Sequence, residues 1–230
     1  MISLRKFAAT FCGALASAAI LPAAPAAAKG PLSAATTAPG VHVIGKSDAE
    51  VKLTEYVSYT CSHCAHFEEE AGDPLRIFYV ASGKTKLEVR NYVRDPYDLT
   101  AAMLANCGPA SKFDRNHVMF LTEQDTWLPK LTKATQAQTN RYGTGSYLQR
   151  RQAIAQDAGF YDMMRRRGYQ RIEIDNCLAD EDMAKALAAN SMTYSREKGV
   201  RSTPSFAIDD VVLAGTHDWK TLKFQLDLRL

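Results

Sequence analysis

Residues 51–59, VKLTEYVSY, alternate with period two, which sets Val51, Leu53, Glu55 and Val57 on one face of a strand. The alternation stops at Cys61. The next stretch, CSHCAHFEEEAGDPLRIFYVASG, has helical spacing with an interruption near Gly72-Asp73-Pro74. A second strand, KLEVRNYVRD, follows over 86–95. Strand, helix and strand in close succession predict two parallel strands joined by a right-handed crossover.

From about 97 the period changes. DLTAAMLANC, ASKFDRNHVMFLTEQ, SYLQRRQAIAQDAGF and DEDMAKALAANSMTYSREKG all carry helix-like apolar spacing. Asp180 or Asp182 is placed to cap the last of these, and Gly199 to end it. Polar QTNRYGTGS, 138–146, reads as a mobile loop. Strands return at PSFAI (204–208) and VVLAG (211–215), either side of an Asp209-Asp210 hairpin, and DWKTLKFQLDLRL (218–230) closes the chain as a helix. One sheet is thus begun, interrupted and completed. The pattern predicts an α/β domain in two parts, 41–96 and 199–230, around a helical insertion at 97–198.

Before residue 41 the pattern is of another kind. Arg5 and Lys6 precede the apolar run FAATFCGALASAAIL, and PAAPAAA supplies small residues for cleavage after Ala28, so 1–28 read as a signal peptide. The competing reading, a membrane anchor, asks for about 20 strongly apolar residues and finds a shorter, alanine-rich run. Residues 29–40, KGPLSAATTAPG, read as a flexible leader. Removing Arg5 and Lys6 takes the formal net charge from +3 to +1. Near-neutrality argues against nucleic acid as a partner, and the Arg165–Arg167 run fits a solvated helix face. Export places the chain in an oxidising compartment, where thiols tend to pair. Four cysteines remain after the leader: Cys61, Cys64, Cys107 and Cys177.

Cys61 and Cys64 stand where a strand gives way to a helix. Unsatisfied N–H groups and the helix dipole stabilise a thiolate at such a position. Cys64, one turn on, lies close enough to bridge it and deeper in the fold. His63 between them would favour the Cys61 thiolate, and Glu55, on the apolar strand face, is a candidate buried acid for exchanging protons with Cys64. An edge position for Glu55, with its carboxylate in water, is the alternative. Two other readings of C-S-H-C-A-H compete with a redox pair. Zinc would use His63 and His66 as well, but Cys107, Cys177, His42, His117 and His217 offer no second short-spaced ligand pair. A purely structural disulfide would close so small a loop that it would constrain the unfolded chain little.

EYVSYTCSHCAHFEEE resembles the active-site segment of DsbA-type periplasmic thiol-disulfide oxidoreductases, and GVRSTPSFAID (199–209) resembles that family's cis-proline loop. The resemblance implies a thioredoxin fold with an inserted all-helical domain. It makes Cys61 the nucleophile, Cys64 the resolving cysteine, His63 the thiolate stabiliser and Glu55 the buried proton-handling acid. It makes Thr203-Pro204 a cis loop facing the dithiol, where an ordinary trans turn would be the default from the residues alone. A cis bond is essentially confined to proline, and Pro204 at the start of a strand has no N–H to lose. Cys107 and Cys177, 70 positions apart in the insertion, would resemble the second, structural disulfide of some members; two free thiols or a regulatory pair are the alternatives.

Ser62 and Thr203 stand where the strong oxidases of that family carry proline and valine, and threonine before Pro204 resembles other branches, isomerase- or reductase-leaning ones among them. The leading expectation is an exported, periplasmic oxidase that donates its disulfide to reduced or unfolded client proteins and is reoxidised by a quinone-linked membrane partner. It needs no cofactor or metal. An isomerase or reductase served by a membrane reductant is the close alternative, and a non-catalytic metal-binding or chaperone-like module the remote one. The short stretch between the leader and Val41 leaves no room for an isomerase-type dimerisation module, so a monomer is expected.

Overall fold

The structure is a computed structural model, and it describes residues 32–230. The signal-peptide reading of 1–28 lies outside the described residues. Six strands form one sheet: β1 (Ala34–Ala38), β2 (Val41–Ile44), β3 (Val51–Val57), β4 (Thr85–Asn91), β5 (Ser205–Ile208) and β6 (Val211–Val212), in the order β1-β2-β4-β3-β5-β6. β3 and β4 are the parallel pair, in register from Val51↔Thr85 to Val57↔Asn91, and every other pairing is antiparallel. β3 therefore runs through the sheet with neighbours on both sides and layers over both faces. Its strict alternation is hidden in the fold, because Thr54 and Tyr56 are as buried as Leu53 and Glu55.

The crossover from β3 to β4 is α1 (Ser62–Pro74) continued by a π-helical turn, Leu75–Val80. Pro74 does not break the helix; the interruption read near Gly72-Asp73-Pro74 is a change of helical pitch. Cys64, Phe67, Glu68 and Ala71, spaced i, i+3, i+4 and i+7, form the buried face of α1. Phe67 packs on Phe206 of β5 with ring centroids 4.7 Å apart.

Between β4 and β5 the described chain is helical: α2 (Pro96–Ala105), α3 (Ala110–Thr122), α4 (Gln124–Thr132), α5 (Gln136–Gly143), α6 (Tyr147–Ala158), α7 (Phe160–Arg166), α8 (Arg171–Ala179) and α9 (Glu181–Glu197). Trp127, Phe120 and Phe160 stack edge-on at its centre, and the Trp127 indole N–H donates to the Phe120 carbonyl at 2.9 Å. A disulfide joins Cys107, just beyond α2, to Cys177 in α8, with Cα atoms 5.6 Å apart. The last helix, α10 (Trp219–Asp227), buries Leu222 and Leu226.

Two expectations are corrected. Residues 34–38 of the expected leader are an edge strand, paired Ala34↔Ile44, Ala35↔Val43 and Thr36↔His42. The Pro39-Gly40 dipeptide read as linker is the turn between β1 and β2, with Gly40 at φ +72°. Likewise 138–146 is mostly helix rather than a mobile loop. A reciprocal Thr135–Gln138 cap starts α5, and Gly145 then supplies the turn into α6.

Candidate active site

The site is built where β3 ends. Cys61 is the N-cap residue of α1, with extended backbone (φ −92°, ψ 115°), and its carbonyl accepts from the Cys64 and Ala65 amides at 3.1 and 3.2 Å. Both cysteines are buried and unbridged. Across from them the Thr203–Pro204 peptide is cis. When protonated, the Cys61 thiol donates to the Thr203 carbonyl at 3.1 Å, closing 142 positions of sequence.

This setting pulls the Cys61 pKa down to about 5. The largest cause is the hydrogen bond from the Cys64 thiol. Burial works against it, and the Thr203 side chain, the Cys64 amide and the positive charge of Arg94 work with it. Cys64 lies deeper, and burial followed by its neighbour Cys61 pushes its thiol well up. One sulfur is thus a thiolate at neutral pH and the other a thiol.

Glu55 is 1 % exposed on the central strand, so the edge-strand alternative is ruled out. Burial, then the like charge of Glu68, raises its pKa to about 8, against the pull of Arg76. Its Oε1 has no hydrogen-bond partner among the described residues. Beside it lies a buried ionic cluster: Arg76 bridges Glu68 at 2.8 Å and Asp114 at 2.9 Å, and His117 accepts or donates at 3.0 Å with the Tyr59 hydroxyl. Burial keeps His117 neutral.

His63 is exposed on the first turn of α1. The groups that depress the Cys61 pKa most are those named above, with Arg94 supplying the cation that the sequence reading sought in His63. His66 is exposed on another side of the helix, 3.9 Å from Glu70. Among the described residues no cluster of three or more His, Cys, Asp or Glu could hold a metal ion.

Three residues missing from the sequence reading fix the nucleophile's loop. Asp98, fully buried, accepts from the Ser58 hydroxyl at 2.6 Å and from the Tyr59 and Arg94 amides at 2.8 and 3.0 Å. Burial raises its pKa to about 7 in spite of those bonds. Asp95 caps α2 and accepts from Thr60 at 2.7 Å, and Asp-Pro before an apolar run is a helix-start signal that could have found it. Gln124, from the insertion, donates to the carbonyls of Tyr59 and Cys61 at 2.7 and 3.0 Å. Nothing local in the sequence marks Gln124; only the packing of α4 against the site does.

Fold and site define a class: a thioredoxin-like domain whose cysteine pair at the start of α1 faces a cis-proline loop. Residues 37–228 match the thioredoxin family model, and the chain belongs to that family. The solved structure of a protein-disulfide isomerase from Novosphingobium aromaticivorans is 45 % identical and superposes with a TM-score of 0.80, covering 84 % of this chain and 98 % of that one. Wolbachia pipientis alpha-DsbA1, at 19 % identity and TM-score 0.64 over 81 % of this chain and 88 % of its own, shares the fold. A Rickettsia conorii protein named "Putative protein-disulfide oxidoreductase" is 27 % identical over 82 % of this chain, and this chain spans only 60 % of its length. No helix among the described residues is long and apolar enough to cross a membrane.

Proposed function

We propose that the protein is an exported, periplasmic oxidase that passes the Cys61–Cys64 disulfide to reduced client proteins. A client thiolate attacks Cys61 Sγ; the client–Cys61 bond forms, the Cys61–Cys64 bond breaks, and Cys64 leaves as a thiolate. Glu55, protonated below about pH 8, is the acid that reprotonates it. A second client thiolate then attacks the client sulfur of the mixed disulfide, forming the client's disulfide and expelling Cys61 as its stable thiolate. Two electrons have moved from client to protein, and a quinone-linked membrane partner would remove them. His63, exposed beside the sulfurs, would meet the incoming thiol rather than hold the resting thiolate, and Thr203-Pro204 would orient the client backbone.

The observation that carries this reading is the thiolate environment of Cys61, with its pKa near 5. Stabilising that thiolate stabilises the dithiol, and so makes the disulfide the electron-hungry form. The leader reading of 1–28 supports export. The Novosphingobium relative, named a protein-disulfide isomerase, favours a second reading, isomerisation of wrong disulfides. Two assays separate them: renaturation of reduced ribonuclease and of scrambled ribonuclease. Oxidation without unscrambling supports the oxidase, the reverse supports the isomerase, and a Cys61→Ser variant that matches the wild type in both would sink each.

A further inference from the structure

A groove of about 770 Å³ lies between the end of β4, α6 and α9, a volume in the range of ligand sites. Leu99, Ile154, Ala184 and Ala188 give it an apolar floor, and Tyr147 and Met192 stand exposed at its rim. Six charged side chains line it. Both of its carboxylates are engaged inside the protein. Asp95 caps α2 and accepts from Thr60, and Glu181 pairs with the buried Arg151. The remaining cations have no carboxylate partner among the described residues. Arg94 donates to the Ser58 and Thr60 hydroxyls, Arg150 donates to the Gly145 carbonyl and lies over the Tyr147 ring, and Lys185 is exposed.

The groove lies beside the loop that carries the reacting sulfur. Arg94 at its mouth donates to Thr60, the residue before Cys61, and its charge also acts on the Cys61 thiolate. Along α9, Ala184, Ala188, Ser191 and Ser195 present small side chains to the groove at helical spacing, so that an extended backbone can lie close.

We propose that this groove binds the client segment flanking the reacting cysteine, and that it selects segments rich in acidic and apolar side chains. The proposal rests on the client-oxidising reading above and names the substrate class for it. Unpartnered cations around an apolar floor complement such a segment and repel a basic one. A groove lined by Arg94, which hydrogen-bonds the residue before the nucleophile, is placed to hold chain near the attacked sulfur.

The test uses two reduced peptides, each with two cysteines, one carrying a flanking aspartate–leucine tract and the other lysine–leucine. The full chain turns over with glutathione disulfide as oxidant. The wild type should favour the acidic peptide about tenfold in kcat/KM, mostly through KM. The double variant Arg150→Glu/Lys185→Glu, outside the dithiol site, should lose or reverse the preference. Ala188→Trp, which fills the groove, should raise KM for the acidic peptide. Neither variant should change the rate at which the protein disulfide oxidises dithiothreitol. A wild type that does not discriminate the peptides, or variants that keep the full preference, overturn the proposal. So does groove-dependent binding to phosphatidylglycerol vesicles without peptide discrimination, which assigns the surface to membrane. Failure to oxidise even dithiothreitol overturns the redox reading beneath it, a distinguishable result.

Discussion

The Cys61 sulfur lies 3.1 Å from the carbonyl oxygen of Thr203, a residue 142 positions away on the cis-proline loop. That contact puts the nucleophile, its partner Cys64 and the client-facing loop in one place. The hydrogen bond from Cys64 to Cys61 and the deeper burial of Cys64 separate the two thiols in proton affinity. Titration of thiolate absorbance should show one sulfur ionising near pH 5 and the other remaining protonated through neutrality. Arg94→Met should move the first midpoint up by a few tenths of a unit, because the guanidinium is solvent-screened. A single midpoint near 8.5 would contradict the assignment.

Glu55 carries a pH signature. Its folded pKa of about 8 exceeds the ordinary carboxylate value, so the folded chain holds this proton more tightly than the unfolded chain does. The resulting stabilisation is complete below the unfolded pKa, near 4.5, and is lost as pH rises through about 8. Denaturant midpoints of wild type and Glu55→Gln should therefore converge at pH 4 and draw apart in the variant's favour between about pH 4.5 and 8. The gap is on the order of 5 kcal/mol before relaxation. The same variant should slow mixed-disulfide resolution. Parallel pH profiles would refute this account of Glu55.

The Cys107–Cys177 bridge spans 70 positions in the helical insertion, away from the dithiol. Replacing both cysteines by alanine should cost about 2–4 kcal/mol in urea unfolding. The potential of Cys61–Cys64 should stay where it was. A shifted potential would show that the two cysteine pairs are coupled.

Gln124 donates to the Tyr59 and Cys61 carbonyls from the insertion. Gln124→Ala strands the buried Tyr59 carbonyl, while the Cys61 carbonyl keeps its two helix amides, at a cost of about 1–3 kcal/mol. It should also speed hydrogen exchange at residues 59–64, with α8 unaffected. Unchanged exchange there would mean that the loop holds itself.

Much of this was legible in the sequence because it was local. The alternation of 51–57, the helix start at Cys61 and the hairpin at Asp209-Asp210, both in left-handed backbone, need only neighbouring residues. β1 was not legible, because AATTA has little apolar patterning and is a strand only through its pairing with β2. α5 was missed because its residues are polar on nearly every side, and its start rests on the Thr135–Gln138 cap. In the site, Cys61, Cys64 and Glu55 could be found by spacing and parity. Asp98, Gln124 and Arg94 could not, since each acts through a tertiary contact.

The hydrogen bonds and the positive charge around Cys61 store oxidising power by stabilising its thiolate. The reduction potential of Cys61–Cys64, from equilibration with glutathione at pH 7, tests this most directly. The account predicts a value closer to the roughly −120 mV of a strong disulfide donor than to thioredoxin's roughly −270 mV. A value at or below that of thioredoxin would contradict it.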